Sequence, residues 1–320
     1  MQMFLTVILL LIGFVLLIKG ADFFVDGSSS VARQFHIPGL VIGMTIVAMG
    51  TSLPELSVSV TSSIAGHNQL AVSNVVGSNI FNLMVVLGCS AIFSVLAVQK
   101  SVITADLPFS IFAAILIVVL GLVLGKLNRV CGIIFLILFA YFIWSMVHRT
   151  MVSRKTAAEN AEEKQEDEDI KILPLWQSLI YIIGGITAIK FGGDFVVDSS
   201  EKIARAMCVS ETLIGLTIVA CGTSLPELAT SIVAARKNEL DMAVGNAVGS
   251  NIFNILAILG VAAVITPVTI STENIIDTIV LIVFSFVVWL FCFKDKKLTK
   301  PEGIVMILMY VVYLVYICLR

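Results

Sequence analysis

Long apolar runs separated by short polar stretches recur along almost the whole chain. A run of about 20 apolar residues is what a helix needs to cross the hydrocarbon core of a bilayer. The pattern predicts helices at 3–25, 38–65, 69–96, 103–124 and 130–148, then a second five at 174–198, 210–236, 240–265, 274–294 and 301–319. Between the two sets lies a hydrophilic stretch, 149–172, which opens with Arg149, Arg154 and Lys155 and turns acidic from Glu162 to Asp169. It reads as a solvated linker, because it lacks the Asp/Gly spacing of a calcium-binding loop. The chain therefore divides into a five-helix unit over 1–148, a linker over 149–172 and a second five-helix unit over 173–320. The stretch from Phe4 to Ile18 has the length of a signal peptide, but no basic residue precedes it and no small-residue cleavage site follows, so it reads as the first membrane helix.

The two units are copies. GADFFVD at 20–26 matches GGDFVVD at 192–198, GTSLPEL at 50–56 recurs at 222–228, and GSNIFN at 77–82 recurs at 249–254, each at an offset of 172. Five helices per copy is an odd number, so the copies enter the membrane with opposite topology. Positive charge agrees: taken alternately, the loops on the linker side hold 13 Lys and Arg, and those on the other side hold five. That bias places the linker in the cytoplasm and both termini outside, with the cell membrane as the expected location. The expected fold class is an all-α integral membrane protein of ten transmembrane helices, in two inverted five-helix repeats with broken central helices. Inverted repeats are one way a transporter opens a central site alternately to either side.

Composition narrows the classes. Hydrophobic residues make up 58% and charged residues 13% of the 320, about half the charged share of a soluble domain, so the chain cannot cover a water-facing surface. A net charge of −2 offers no basic face for nucleic acid, and no obligate protein partner is evident. The six cysteines are scattered without a CxxC pair, which argues against a disulfide framework or a metal knuckle.

Two carboxylates stand out against this background. Glu55 and Glu227 occupy equivalent mid-helix positions in apolar sequence. A carboxylate at the bilayer centre costs ~2.5 kcal/mol or more, so each is a functional candidate rather than a decoration. A buried ion pair is the bland alternative, but Lys19 and Lys190 are not in these helices. Pro54 and Pro226 precede the glutamates; lacking an N–H, each deprives the carbonyl of Gly50 or Gly222 of its helical partner. Carbonyls at Ala48, Gly50, Ala220 and Gly222 then lie about one turn from a carboxylate, and the hydroxyls of Thr51, Ser52, Thr223 and Ser224 come to the same place. On the next helix Asn74, Ser78 and Asn82 recur every four residues and share a face, as do Asn246, Ser250 and Asn254, whereas Asn79 and Asn251 point elsewhere. This is an oxygen-only donor set. Such sets take hard cations such as Ca2+ and Na+, and Mg2+ fits less well because it holds its water tightly.

The paired GTSLPE and GSNIFN segments resemble the two alpha repeats of the sodium/calcium exchanger family, and the resemblance covers nearly the whole chain. It implies ten helices, with the second, third, seventh and eighth around the site and the first and sixth sliding as a pair. It implies that Glu55 and Glu227 bind both ions, that Asn82, Thr51, Ser52, Ser78, Thr223, Ser224 and Ser250 assist, and that the carbonyls of Ala48 and Ala220 take Na+. Asn254 departs from the aspartate common in potassium-dependent relatives, which argues against K+ cotransport. The expected function is Na+/Ca2+ antiport at a shared carboxylate site, without a cofactor and without chemical catalysis. An H+/Ca2+ exchanger using the same glutamates is the alternative; a calcium channel and an intramembrane enzyme fit less well. Asp22, Asp26, Asp194 and Asp198 are expected at helix ends, in local ion pairs with Lys19 and Lys190.

Overall fold

The computed structural model describes residues 2–65, 68–159, 172–207 and 220–320. The polar and acidic core of the linker (160–171), the first part of the expected seventh helix, His67 and Cys208 lie outside the described residues. In chain order the helices are α1 (Gln2–Gln34), α2 (Gly39–Thr51), α3 (Leu53–Ile64), α4 (Leu70–Phe93), α5 (Val102–Leu124), α6 (Arg129–Glu159) and α7 (Leu175–Ala206). They continue with α8 (Ala220–Gly222), α9 (Leu225–Arg236), α10 (Leu240–Ile265), α11 (Thr272–Asp295) and α12 (Lys300–Leu319). Among the described residues eight helices are long and apolar enough to cross a membrane, and α2 with α3, bent by 49° at their junction, reads as a ninth span.

Several boundaries differ from expectation. Helix α1 runs to Gln34 rather than 25, α6 to Glu159 rather than 148, and α7 to Ala206 rather than 198. The apolar pattern stops early because the last turns of α1 carry Asp26, Ser28, Ser29, Ser30 and Arg33. Those serines are buried, so polarity here marks contact with protein, not the end of a helix. Asp22, Asp26, Asp194 and Asp198 are consequently interior to α1 and α7, not at helix ends. The expected local pairs do form, Lys19–Asp22 at 3.5 Å and Lys190–Asp194 at 3.2 Å.

Two helices form the centre. In α4 and α10 the most apolar windows are 78% and 83% buried, against 17–33% for the other long helices, which face lipid. Lipid offers no hydrophobic drive for helix association, so close approach depends on small residues. Helices α1 and α7 pack along their length this way: a Cβ added at Gly192 would lie 2.6 Å from the backbone N of Leu17, and one at Gly20 would lie 2.8 Å from that of Ile189. Helix α10 packs on α2 likewise, with Gly249 against the backbone of Met44.

Contacts between the halves are reciprocal. Four two-residue strands, unexpected from the sequence, pair as β1 (Leu96–Ala97) with β4 (Lys297–Leu298) and β2 (Lys126–Leu127) with β3 (Val268–Thr269). Each pair joins the loop after a central helix of one half to the loop before the last helix of the other. Inside each half, equivalent ion pairs tie the last two helices together: Arg149 to Asp106 at 2.7 Å, and Arg320 to Asp277 through both carboxylate oxygens at 2.9 and 3.1 Å.

Candidate cation site

The site is built where two helices break. Ser52 has φ −84° and ψ 12°, Ser224 has φ −92° and ψ 6°, and a new helix starts at the Leu-Pro-Glu that follows each. Proline suits a first helical turn, where its missing N–H is not needed. Glu55 and Glu227 therefore lie in the first turn of α3 and α9, which corrects the mid-helix expectation. A helix N-terminus presents unpaired N–H groups and the positive end of the dipole, so a carboxylate there is supported without a basic partner. Both glutamates are fully buried.

Each half completes the site of the other. The Ser52 hydroxyl donates to Glu227 Oε1 at 2.7 Å, and the Ser224 hydroxyl donates to Glu55 Oε1 at 3.2 Å. Thr223 also approaches Glu55, and Thr51 and Ser250 approach Glu227. The carbonyl of Ala48 gathers hydroxyls from both halves, Thr51 at 3.3 Å and Ser250 at 3.4 Å. Ala220, which corresponds to Ala48 at the offset of 172, is the first residue of α8.

Helices α4 and α10 supply amides. Asn254 Nδ2 donates to Ser78 Oγ and Asn79 Oδ1, both at 3.1 Å. Asn79 and Asn251 were expected to point elsewhere; each donates to the other's backbone carbonyl at 3.1 Å, which locks α4 to α10, yet Asn79 still meets the site through the Oδ1 that accepts from Asn254. Asn82 and Asn254 sit where these helices widen into π-helical segments, Asn82–Val86 and Phe253–Ile258. Such insertions cluster at functional sites, and no sequence pattern announced them.

Ser59 and Ser231, four residues beyond the glutamates, were missed. Asn74 Nδ2 donates to Ser59 Oγ at 3.1 Å and to the Glu55 carbonyl at 3.4 Å; Asn246 Nδ2 repeats this with Ser231 at 2.9 Å and the Glu227 carbonyl at 3.3 Å. With its nitrogen so held, Asn246 turns Oδ1 toward Thr51, whose hydroxyl donates to it at 3.0 Å. The signal was available, because these serines repeat at the offset of 172 like the motifs themselves.

Oxygen dominates what is left unpaired. Among the described residues Glu55 Oε2, Glu227 Oε2, Asn254 Oδ1, Thr223 Oγ1 and the whole Asn82 amide are buried without a hydrogen-bond partner. An unsatisfied buried polar group costs ~1–3 kcal/mol, so a cluster of them calls for a ligand that oxygen can hold. The described residues contain no group of three or more His, Cys, Asp or Glu placed to hold a metal. Cys221, beside Gly222, turns away to the Tyr310 hydroxyl at 3.3 Å. The donor chemistry is that of a hard-cation site.

The sodium/calcium exchanger protein family matches this chain twice, over residues 5–147 and 177–319, one match for each half. The chain belongs to the sodium/calcium exchanger family. It is 36% identical over 315 residues to the putative antiporter CaxA of Alkalimonas amylolytica, covering 97% of this chain and 98% of that protein. Identity to the sodium/calcium exchanger MaX1 of Methanosarcina acetivorans is 29% over 340 residues, covering 96% and 97%. Its fold superposes on the sodium-calcium exchanger NCX_Mj, soaked with 10 mM Na+ and zero Ca2+, with a TM-score of 0.81 and 34% identity over 97% of this chain and 98% of that one. The exchanger is thus an integral membrane cation/Ca2+ antiporter, and the resemblance seen in its motifs holds for the chain as a whole.

Proposed function

We propose that this exchanger moves Na+ against Ca2+ by alternating access at one site carried by Glu55 and Glu227. The observation that carries the reading is the reciprocal pair of hydroxyl bonds, Ser52 to Glu227 and Ser224 to Glu55, which makes each carboxylate part of a site that neither half forms alone. Two carboxylates supply −2. One Ca2+ neutralises them, and so do two Na+, so the two ions compete for the same oxygens. Ser52, Ser224, Thr51, Thr223, Ser78, Ser250, Asn82, Asn254 and the carbonyls of Ala48 and Ala220 complete the coordination. Each hydroxyl that now donates a proton to a carboxylate can rotate and offer a lone pair to a cation. Neutral ligands in this number suit Na+, which needs coordination, better than H+, which does not.

Ten spans in two inverted halves, 1–148 and 173–320, complete the reading. The linker lies in the cytoplasm and both termini outside, in the cell membrane. Helices α1 and α7, bound tightly to each other through glycines, move as one body across the central helices. The test is 45Ca2+ uptake into proteoliposomes under separate Na+ and pH gradients. An outward Na+ gradient alone should drive Ca2+ uptake, and a valinomycin-set potential should change its rate if a third Na+ is carried. Uptake that follows the pH gradient and ignores Na+ overturns Na+ as the coupling ion.

A further inference from the structure

The two ends of the helix pair α1–α7 are not alike, although the repeat would make them so. Asp22 and Asp26 on α1 correspond to Asp194 and Asp198 on α7 at the offset of 172. At the first pair, Lys237 reaches in from the α9–α10 loop. Its Nζ lies 2.7 Å from Asp26 Oδ1, 3.4 Å from Asp22 Oδ1 and 3.1 Å from the Asp22 carbonyl. Two residues on, Glu239 binds Arg33 of α1 at 2.6 Å. The corresponding loop of the first half has Ala65 in place of Lys237 and His67 in place of Glu239, so its sequence cannot form either tie.

Burial follows the same asymmetry. At the Asp194 end a cavity of about 200 Å³ runs inward from Asp194 and Asp198 to Gly222, Thr223 and Pro54. A cavity of about 550 Å³ at the other end is lined by Asp26, Arg33, Lys237 and Glu239, and none of the site residues borders it. Val58, which borders the first cavity, is 41% exposed, whereas its equivalent Thr230 is 0% exposed. Thr223 is half-buried, and its equivalent Thr51 is buried.

We propose that Lys237 and Glu239 form a one-sided charge latch that ties α1 to the α9–α10 loop, holds the Lys237 end closed and biases the exchanger toward opening at the Asp194 end. This rests on the alternating-access reading above. The latch suits its task because its pairs are partly exposed: each contributes a modest factor to an equilibrium that must still reverse in every cycle. Without it the two ends would be nearly equivalent by symmetry, and the resting population would be divided between them.

The test is thiol labelling of the full-length protein in membrane vesicles, with an impermeant methanethiosulfonate applied to one face at a time. Thr230→Cys reports on the Lys237 end and Val58→Cys on the Asp194 end, each read above the background of the chain without the reporter. Adding Lys237→Ala with Glu239→Ala should speed labelling of the first by about three- to tenfold and slow that of the second. Ala65→Lys, which puts a lysine at the position that corresponds to Lys237 in the first half, should slow labelling of the second. Exchanging the charges, Asp26→Lys with Lys237→Asp, should return both rates toward those of the unaltered latch. Rates that do not move, or that rise together as in a loosened fold, overturn the latch. Na+-driven Ca2+ flux in the same vesicles is read separately: its absence alongside opposed labelling shifts would overturn the coupling ion and leave the latch standing.

Discussion

Replacing Glu227 by Gln isolates charge from shape. Glutamine is isosteric, and its Oε1 still accepts the Ser52 hydroxyl that Glu227 Oε1 accepts at 2.7 Å, so the junction between the halves survives. What changes is the charge of the site, from −2 to −1, and a bound Ca2+ would then leave a net positive charge buried where no solvent reaches. Two unit charges about 4 Å apart interact by ~4 kcal/mol at an effective dielectric near 20. Taking that once, and setting the second charge of Ca2+ against the desolvation that the neutral glutamine no longer suffers, gives a loss of about 1,000-fold in Ca2+ affinity. Glu55→Gln should behave alike, because Ser224 donates to it in the same way. The assay is 45Ca2+ uptake by reconstituted protein at Ca2+ concentrations spanning three decades, with thermal unfolding and gel filtration as controls for folding. Near wild-type exchange in either well-folded variant would remove the glutamates from the site.

Three further outcomes follow from the geometry. Replacing K+ by choline should leave the flux unchanged, since Asn254 brings an amide committed to Ser78 and Asn79 where a carboxylate would add charge; a strict K+ requirement in that exchange assay would show that Asn254 has been misread. Ser59→Ala with Ser231→Ala should raise the half-saturating Ca2+ concentration by about tenfold through loss of one buried and one partly buried hydrogen bond, with serine-to-threonine versions retaining function. Gly192→Ala forces a methyl against the Leu17 backbone and should destabilise the α1–α7 pair by ~1–3 kcal/mol, seen as a lower thermal midpoint in detergent.

Much of this molecule is legible in one dimension because lipid is a strict solvent. A segment that crosses it must be apolar and helical, so the long spans and their order are written in hydropathy. A carboxylate that survives there needs a reason, and its recurrence with Leu-Pro and GSNIFN at a fixed offset singled out residues that the fold then brings together. What hydropathy could not fix were features that depend on which neighbour a residue meets. The last turns of α1 are polar because Asp26 and Arg33 meet Lys237 and Glu239 from the other half of the chain, so the helix ran nine residues past its apolar limit. The repeat placed Ser52 and Glu227 in equivalent surroundings, and only folding made them partners 175 positions apart. Likewise the π-helical segments Asn82–Val86 and Phe253–Ile258 left no mark in the apolar pattern, because widening a turn changes the backbone and not the polarity of the side chains. Local chemistry selects helix, break and buried charge, whereas the closeness of two distant segments is decided by how whole helices pack, and that is a property of the assembled bundle.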